Sequence, residues 1–184
     1  MRLNLTSSFT APADAGDRNN LIEVLTSGLV SLVALALLYI VARQHQLVGH
    51  VLAETLSIVV SGAIFVVTWN VRRFIASNYL LVVGTASLFI AGFDLIHVLT
   101  YPGMDLIAGG GTNLTTQTWL GSRFLLATAL LAAPLAIGRR VTVRGLGLAF
   151  ALLSALLIAT IFYWPIFPTT YIEGVGLTPF KRFS

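Results

Sequence analysis

Five long apolar runs, separated by short polar stretches, dominate the chain. They cover about residues 21–42, 52–70, 79–100, 118–137 and 143–164. Each approaches the ~20 residues that a helix needs to cross the hydrocarbon core of a bilayer. In lipid every backbone N–H and C=O must be paired within its own segment, so each run is predicted to be a transmembrane helix. The intervening stretches "RQHQLVGH", "NVRRFIASN", "YPGMDLIAGGGTNLTTQ" and "GRRVTVRG" carry turn chemistry, and no segment repeats another. The expected fold is all-α: an integral membrane bundle of five transmembrane helices over residues 21–164. A polar N-terminal tail, 1–20, precedes it. An aromatic, Pro- and Gly-rich segment, 165–184, follows it and is expected to lie irregularly along the membrane interface with Trp164, Phe167, Tyr171 and Phe180.

The polar exceptions inside these runs form the second pattern. "AGFDLIHVLTYPGM", residues 91–104, sets Asp94 and His97 three residues apart in an apolar run. Burying such groups without partners is costly. Glu54 near the start of the second run, Asp94 and His97 near the end of the third, and Arg123 in the fourth fall at similar depth, given a rise of ~1.5 Å per residue. Glu54, Ser57 and Ser61 share one helical face, as do Ser87, Asp94, His97 and Tyr101. Polar stripes of this kind face a bundle interior. The expected ligand-binding set is therefore Glu54, Asp94, His97, Tyr101 and Arg123, lining a polar pocket open toward the outer face.

Other readings compete. Glu54 or Asp94 pairing with Arg123 would lock helices together with no ligand at all. Ser57, Ser61 and Ser87 suit close helix packing. His45 and His50 fall in the first polar stretch and read as solvated loop residues. Glu54, Asp94 and His97, with His50, offer the nitrogen and oxygen donors of a metal site, though the Asp-x-x-His spacing alone does not select a metal. No cofactor is assigned. Phe93, one turn before His97, disfavours a flat macrocycle there. No serine constellation, phosphate loop or dinucleotide fingerprint is present, so no enzymatic activity is expected.

Composition agrees with the membrane reading: 57% of residues are hydrophobic and 10% charged. There is no cysteine, which removes thiol and disulfide chemistry. The formal charge of +4 reflects topology rather than nucleic-acid binding. Arg2, Arg18, Arg72, Arg73, Arg139, Arg140 and Arg144 fall on one side of the expected bundle, and Arg43, Lys181 and Arg182 on the other. This asymmetry predicts a cytoplasmic N-terminus and a periplasmic C-terminus. The first residues lack the basic start and apolar core of a secretory signal.

Four stretches, "ETLSIVVSGAIFVVTWNVRRF", "NYLLVVGTASLFIAGFDLIHVLTYPGM", "TNLTTQTWLGSRFL" and "IFYWPIFPTTYIEGVGLTPFK", together resemble the third type of bacterial membrane-associated sensor (MASE) domain. The resemblance covers about residues 48–181 and includes Glu54, Trp69, Asn70, Arg73, Tyr79, Asp94, His97, Tyr101, Asn113, Gln117, Trp119 and Arg123 in one order. It implies a non-catalytic signal-sensing module of the bacterial inner membrane, joined in the family to cytoplasmic outputs such as diguanylate cyclases, kinases or phosphodiesterases. After the Gly-Leu-Thr-Pro-Phe segment the family continues into another span, whereas this sequence stops at Ser184. Two expectations follow: the sequence is a fragment of a longer sensor, or it is a sensor module without output that serves as an accessory structural subunit of a respiratory or photosynthetic membrane complex. The expected partners are the lipid bilayer, another membrane protein or a second copy, and a small ligand, but not nucleic acid.

Overall fold

The computed structural model describes residues 13–104, 106–107, 111–139 and 141–184. Its helices are α1 (Ala13–Gln44), α2 (Gln46–Val71), α3 (Asn78–Leu99), α4 (Thr112–Leu135) and α5 (Val143–Ile158). A π-helical turn (Ala159–Tyr163) extends α5, and the strands β1 (Tyr171–Ile172) and β2 (Gly176–Leu177) and the short helix α6 (Pro179–Phe183) follow. Five of these helical segments are long and apolar enough to cross a membrane. The all-α membrane architecture is thus the one the hydropathy pattern predicts.

The chain divides into two compact units, one up to Gly49 and one from His50 onward. In the first, α1 begins at Ala13, within the stretch that reads as a polar tail; residues 1–12 lie outside the described residues. Leu25, Leu29, Leu32 and Leu35 of α1 are exposed, as suits a helix in contact with lipid. The hydroxyls of Thr26, Ser27 and Ser31 donate to carbonyls one turn back in the same helix, so these three are satisfied without help from lipid. His45 alone separates α1 from α2; the predicted connection over 43–50 is otherwise helical.

In the second unit α3 is the central helix. Val82, Ala86, Ile90 and Phe93 of α3 pack with Leu125, Ala129 and Ala133 of α4 and with Phe150 of α5. Small residues on α4 allow this close approach: a Cβ at Gly121 would come within 2.5 Å of Phe93 Cε1. In lipid there is no hydrophobic drive between helices, so such close packing holds them together. On the other side of α3, a Cβ at Gly84 would strike the Thr68 side chain of α2. Asn78 at the start of α3 donates through Nδ2 to Ala136 O, 3.2 Å, and Arg139 O, 2.5 Å, tying it to the end of α4.

The C-terminal segment is more ordered than an irregular interfacial strip. After the π turn, β1 and β2 pair antiparallel, with Tyr171 opposite Leu177. Gly174, at φ +79°, sits in the turn between them, a conformation that glycine adopts without strain. The segment folds back on the first turns of α4. Asn113 Oδ1 accepts from Thr170 N, 2.8 Å, and Tyr171 N, 3.1 Å, and Gln117 Nε2 donates to Phe167 O and Pro168 O at 3.2 and 3.1 Å. Phe167 turns inward against Phe124 and Phe180, while Trp164 stays exposed.

Candidate functional site

The polar stripes of α2 and α3 meet rung by rung. The two helices run antiparallel, so His50 faces Tyr101, Glu54 faces His97 and Ser57 faces Asp94. His50 and Tyr101 stack with ring centroids 4.0 Å apart. Tyr101 is held beyond the end of α3 by a Tyr101-Pro102-Gly103-Met104 turn. It is closed by Met104 N donating to Tyr101 O, 3.0 Å, with Gly103 at φ +96°.

Among the described residues Asp94 is the most deeply buried charge, at 0% exposure. Its Oδ1 accepts from Ser122 Oγ, 2.5 Å, and from Arg123 Nη2, 3.3 Å; its Oδ2 accepts from Ser57 Oγ, 3.4 Å. One carboxylate therefore binds α2, α3 and α4 together. Of the two acids predicted as partners for Arg123, Asp94 is the one within reach. Ser57 does join helices, whereas the Ser87 hydroxyl is spent on Val83 O of its own helix.

His97, one turn further along α3, is 5% exposed. Its Nδ1 lies 2.8 Å from Thr115 O. A carbonyl can only accept, so Nδ1 carries the proton in this contact. Thr115 Oγ1 donates in turn to Thr100 O, 2.5 Å, which fixes the neighbouring turns of α3 and α4. The other ring nitrogen, Nε2, is buried with no hydrogen-bond partner among the described residues; Glu54 Oε1, the nearest acid oxygen, is 3.9 Å away. His50 Nε2 is likewise buried and without a partner among them. His50 is therefore not the solvated loop residue that the sequence pattern predicts: it belongs to α2 and points into the bundle. Its place four residues before Glu54, on the same face, was the available signal. His45 is exposed at the break between helices, as expected.

One donor atom from each of His50, Glu54 and His97 lies within 4.8 Å of the others. Of the expected metal-ligand set, Glu54 and His97 come together. Asp94 does not join them, because Ser57, Ser122 and Arg123 occupy its oxygens. A cavity of about 300 Å³ opens beside the cluster, lined also by Thr116, Trp119, Leu177 and Lys181. The Lys181 ammonium lies 3.5 Å from the centre of the Trp119 ring, and Arg123 Cζ lies 5.3 Å from it. Burial pushes the Lys181 ammonium below its ordinary pKa, and the positive charge of Arg123 adds to that shift. A larger cleft, about 510 Å³, lies between the far ends of α2 and α3, but Val60, Ile64, Val67, Leu80 and Val83 line it and Thr68 is its one polar side chain. The ionisable side chains line the smaller cavity.

A family model for a membrane-associated sensor domain, MASE3, matches residues 41–184. The chain belongs to the MASE3 family. No curated protein and no solved structure matches it. The match extends over α2 to α6, and so over every residue of the cluster and its cavity. The MASE3 assignment makes the chain a membrane sensor domain. Of the five residues expected to line the pocket, Glu54 and His97 do; Tyr101 stacks on His50, and Asp94 and Arg123 pair with each other and are not part of the cavity wall. Sequence reasoning missed the Thr115 carbonyl that orients His97, the Ser122 hydroxyl on Asp94, and Lys181 as part of the cavity wall. The first is a backbone atom that no residue type advertises. The other two depend on how α4 and the C-terminal segment fold back.

Proposed function

We propose that this MASE3 domain senses a small polar solute or ion that enters the cavity between α2, α4 and the C-terminal segment from the periplasmic side of the bacterial inner membrane. The observation that carries this reading is the unpaired state of the cavity wall. Two histidine nitrogens are buried there without partners among the described residues, in a segment where an unmet polar group is expensive. A bound solute supplies the missing partners. The basic asymmetry of the sequence supports an outward-facing pocket, with the N-terminus cytoplasmic. The wall also suggests how occupancy is transmitted. His50 and Glu54 belong to α2, His97 to α3, Trp119 to α4, and Leu177 and Lys181 to the C-terminal segment. A solute touching all four changes how firmly that segment is held. Expected associates are the lipid bilayer and a second membrane protein or a second copy that reads this change.

The absence of native cysteine permits a direct test. Leu177→Cys places a single thiol at the cavity wall. A membrane-impermeant maleimide is expected to label it in spheroplasts and not in inverted vesicles. The low-molecular-weight fraction of a periplasmic extract is expected to slow that labelling. Labelling only from the cytoplasmic face overturns the orientation. Labelling indifferent to every fraction overturns the sensing role and leaves the accessory-subunit reading, for which stoichiometric co-purification with a larger membrane complex is the positive sign.

A further inference from the structure

The donor cluster narrows the ligand class. We propose that His50, Glu54 and His97 bind a divalent first-row transition-metal ion, with an open coordination position facing the cavity. This deepens the sensing role proposed above and rests on it.

The donor set comes first. Two imidazoles and one carboxylate suit zinc, copper, nickel or ferrous iron, whereas magnesium and calcium prefer oxygen-only shells. His50 and Glu54 are four residues apart on α2, so one helical face presents both. His97 arrives from α3, which makes the site depend on the packed pair of helices.

The orientation of His97 is the second, independent observation. Metal-bound histidines commonly donate their other ring N–H to a carbonyl, which fixes the ring and leaves a lone pair for the metal. The Thr115 carbonyl, 2.8 Å from Nδ1, plays that part here. The nitrogen left over, Nε2, belongs to a residue 5% exposed and has no partner among the described residues. A protonated His97 could pair with Glu54 instead, but 3.9 Å is too long for a hydrogen bond.

Metal–ligand bonds of ~2.1 Å set donor atoms roughly 3–4 Å apart around one ion. The donor atoms lie within 4.8 Å of one another, so an ion draws the widest pair together by no more than about 1–2 Å. Rotation of the Glu54 and His50 side chains, both only partly buried, can supply that closure. Three protein donors leave one or more positions for water or a signal molecule. The adjoining cavity, about 300 Å³, gives that position room, and Lys181 sets a cation at its far wall.

The chain holds three histidines and no cysteine, so few residues can mimic the site. The test uses the full chain, purified in detergent without a histidine tag and stripped by chelator. Calorimetric titration with Zn²⁺ and with Cu²⁺ is expected to show one ion per chain for at least one of them, and none for Mg²⁺. Loss of an outer partner alone weakens metal binding roughly 10–100-fold. His50→Ala, Glu54→Gln and His97→Ala are each expected to weaken it at least that much, and His45→Ala to leave it unchanged. His50→Ala, at a partly buried position, remains decisive if His97→Ala disturbs folding. Absence of saturable binding, binding that survives His50→Ala, or binding lost in His45→Ala overturns the site. Leu177→Cys labelling that responds to chelator-treated periplasmic extract, with no metal binding by the native chain, sinks the metal and spares the sensor. No response in either assay sinks both.

Discussion

At the scale of single residues, the pairing of charges was legible and the fate of the histidines was not. Asp94 and Arg123 sit where helix rise alone puts them level, and a buried acid beside a half-buried base has one inexpensive solution. The orphaned Nε2 atoms of His50 and His97 depend on side-chain direction and on a backbone carbonyl, neither of which periodicity encodes. The pair itself makes a prediction. Arg123→Leu leaves Asp94, at 0% exposure, with two hydroxyl donors and no counter-charge. Breaking a buried pair costs on the order of 3–5 kcal/mol, and the lower end, about 3 kcal/mol, is expected here because Ser122 and Ser57 remain and the Arg123 side chain is 34% exposed. Thermal unfolding in detergent measures it. An unchanged midpoint would show that the hydroxyls suffice and that Arg123 serves the cavity rather than the fold.

Among elements, the hydropathy pattern located all five spans but set the starts of α1, α2 and α4 six or more residues too late. The pattern starts the fourth run at 118, yet α4 begins at Thr112. "TNLTTQT" reads as a polar loop, but Thr116 and Thr118 each donate a hydroxyl to the carbonyl four residues back and Thr115 donates its own to Thr100 O, so all three enter the helix already satisfied. The same turns then receive the C-terminal segment through Asn113 and Gln117. Two predictions belong here. Gly121→Val forces a side chain into Phe93 at the α3–α4 contact, where overpacking typically costs about 1–3 kcal/mol. A lower unfolding midpoint is expected, while Gly92→Val, facing open space on α3, should behave as wild type. Trp119→Leu removes the ring under Lys181, a contact worth roughly 0.5–2 kcal/mol. Amide exchange over residues 170–184 is then expected to rise while that of α3 stays unchanged. Equal protection in both proteins would place the hold on that segment in Asn113 and Gln117 alone.

For the whole molecule, membrane physics explains why class was legible and chemistry only partly so. A bilayer imposes length, backbone satisfaction and a charge bias, and each leaves a mark in the sequence. It imposes nothing on which polar groups meet. That depends on helix rotation, here set by Gly84 against Thr68 on one side of α3 and Gly121 against Phe93 on the other. Those contacts turn the Asp94–His97 face toward both α2 and α4 and so create the cavity. The cavity's place in the cell then follows from topology. It lies at the end where α2 begins and α3 ends, beside His50 and Lys181. Arg72, Arg73 and Arg139 lie in the loops at the opposite end, after α2 and after α4, and Arg144 in the first turn of α5. Basic loops stay in the cytoplasm, so the cavity end should face the periplasm. Alkaline phosphatase fused after Ser184 is expected to be active, and a fluorescent protein that matures only in the cytoplasm is expected to be dark there. Moving both reporters to the Arg139–Val141 loop should reverse the pattern. The same signal at both positions would mean that the loop and Ser184 share a side of the membrane, so that α5 with its π turn does not cross. A cytoplasmic signal at Ser184 with a periplasmic one at the loop would keep five spans but turn the cavity to the cytoplasm, and the signal would then have to be sought among cytoplasmic solutes.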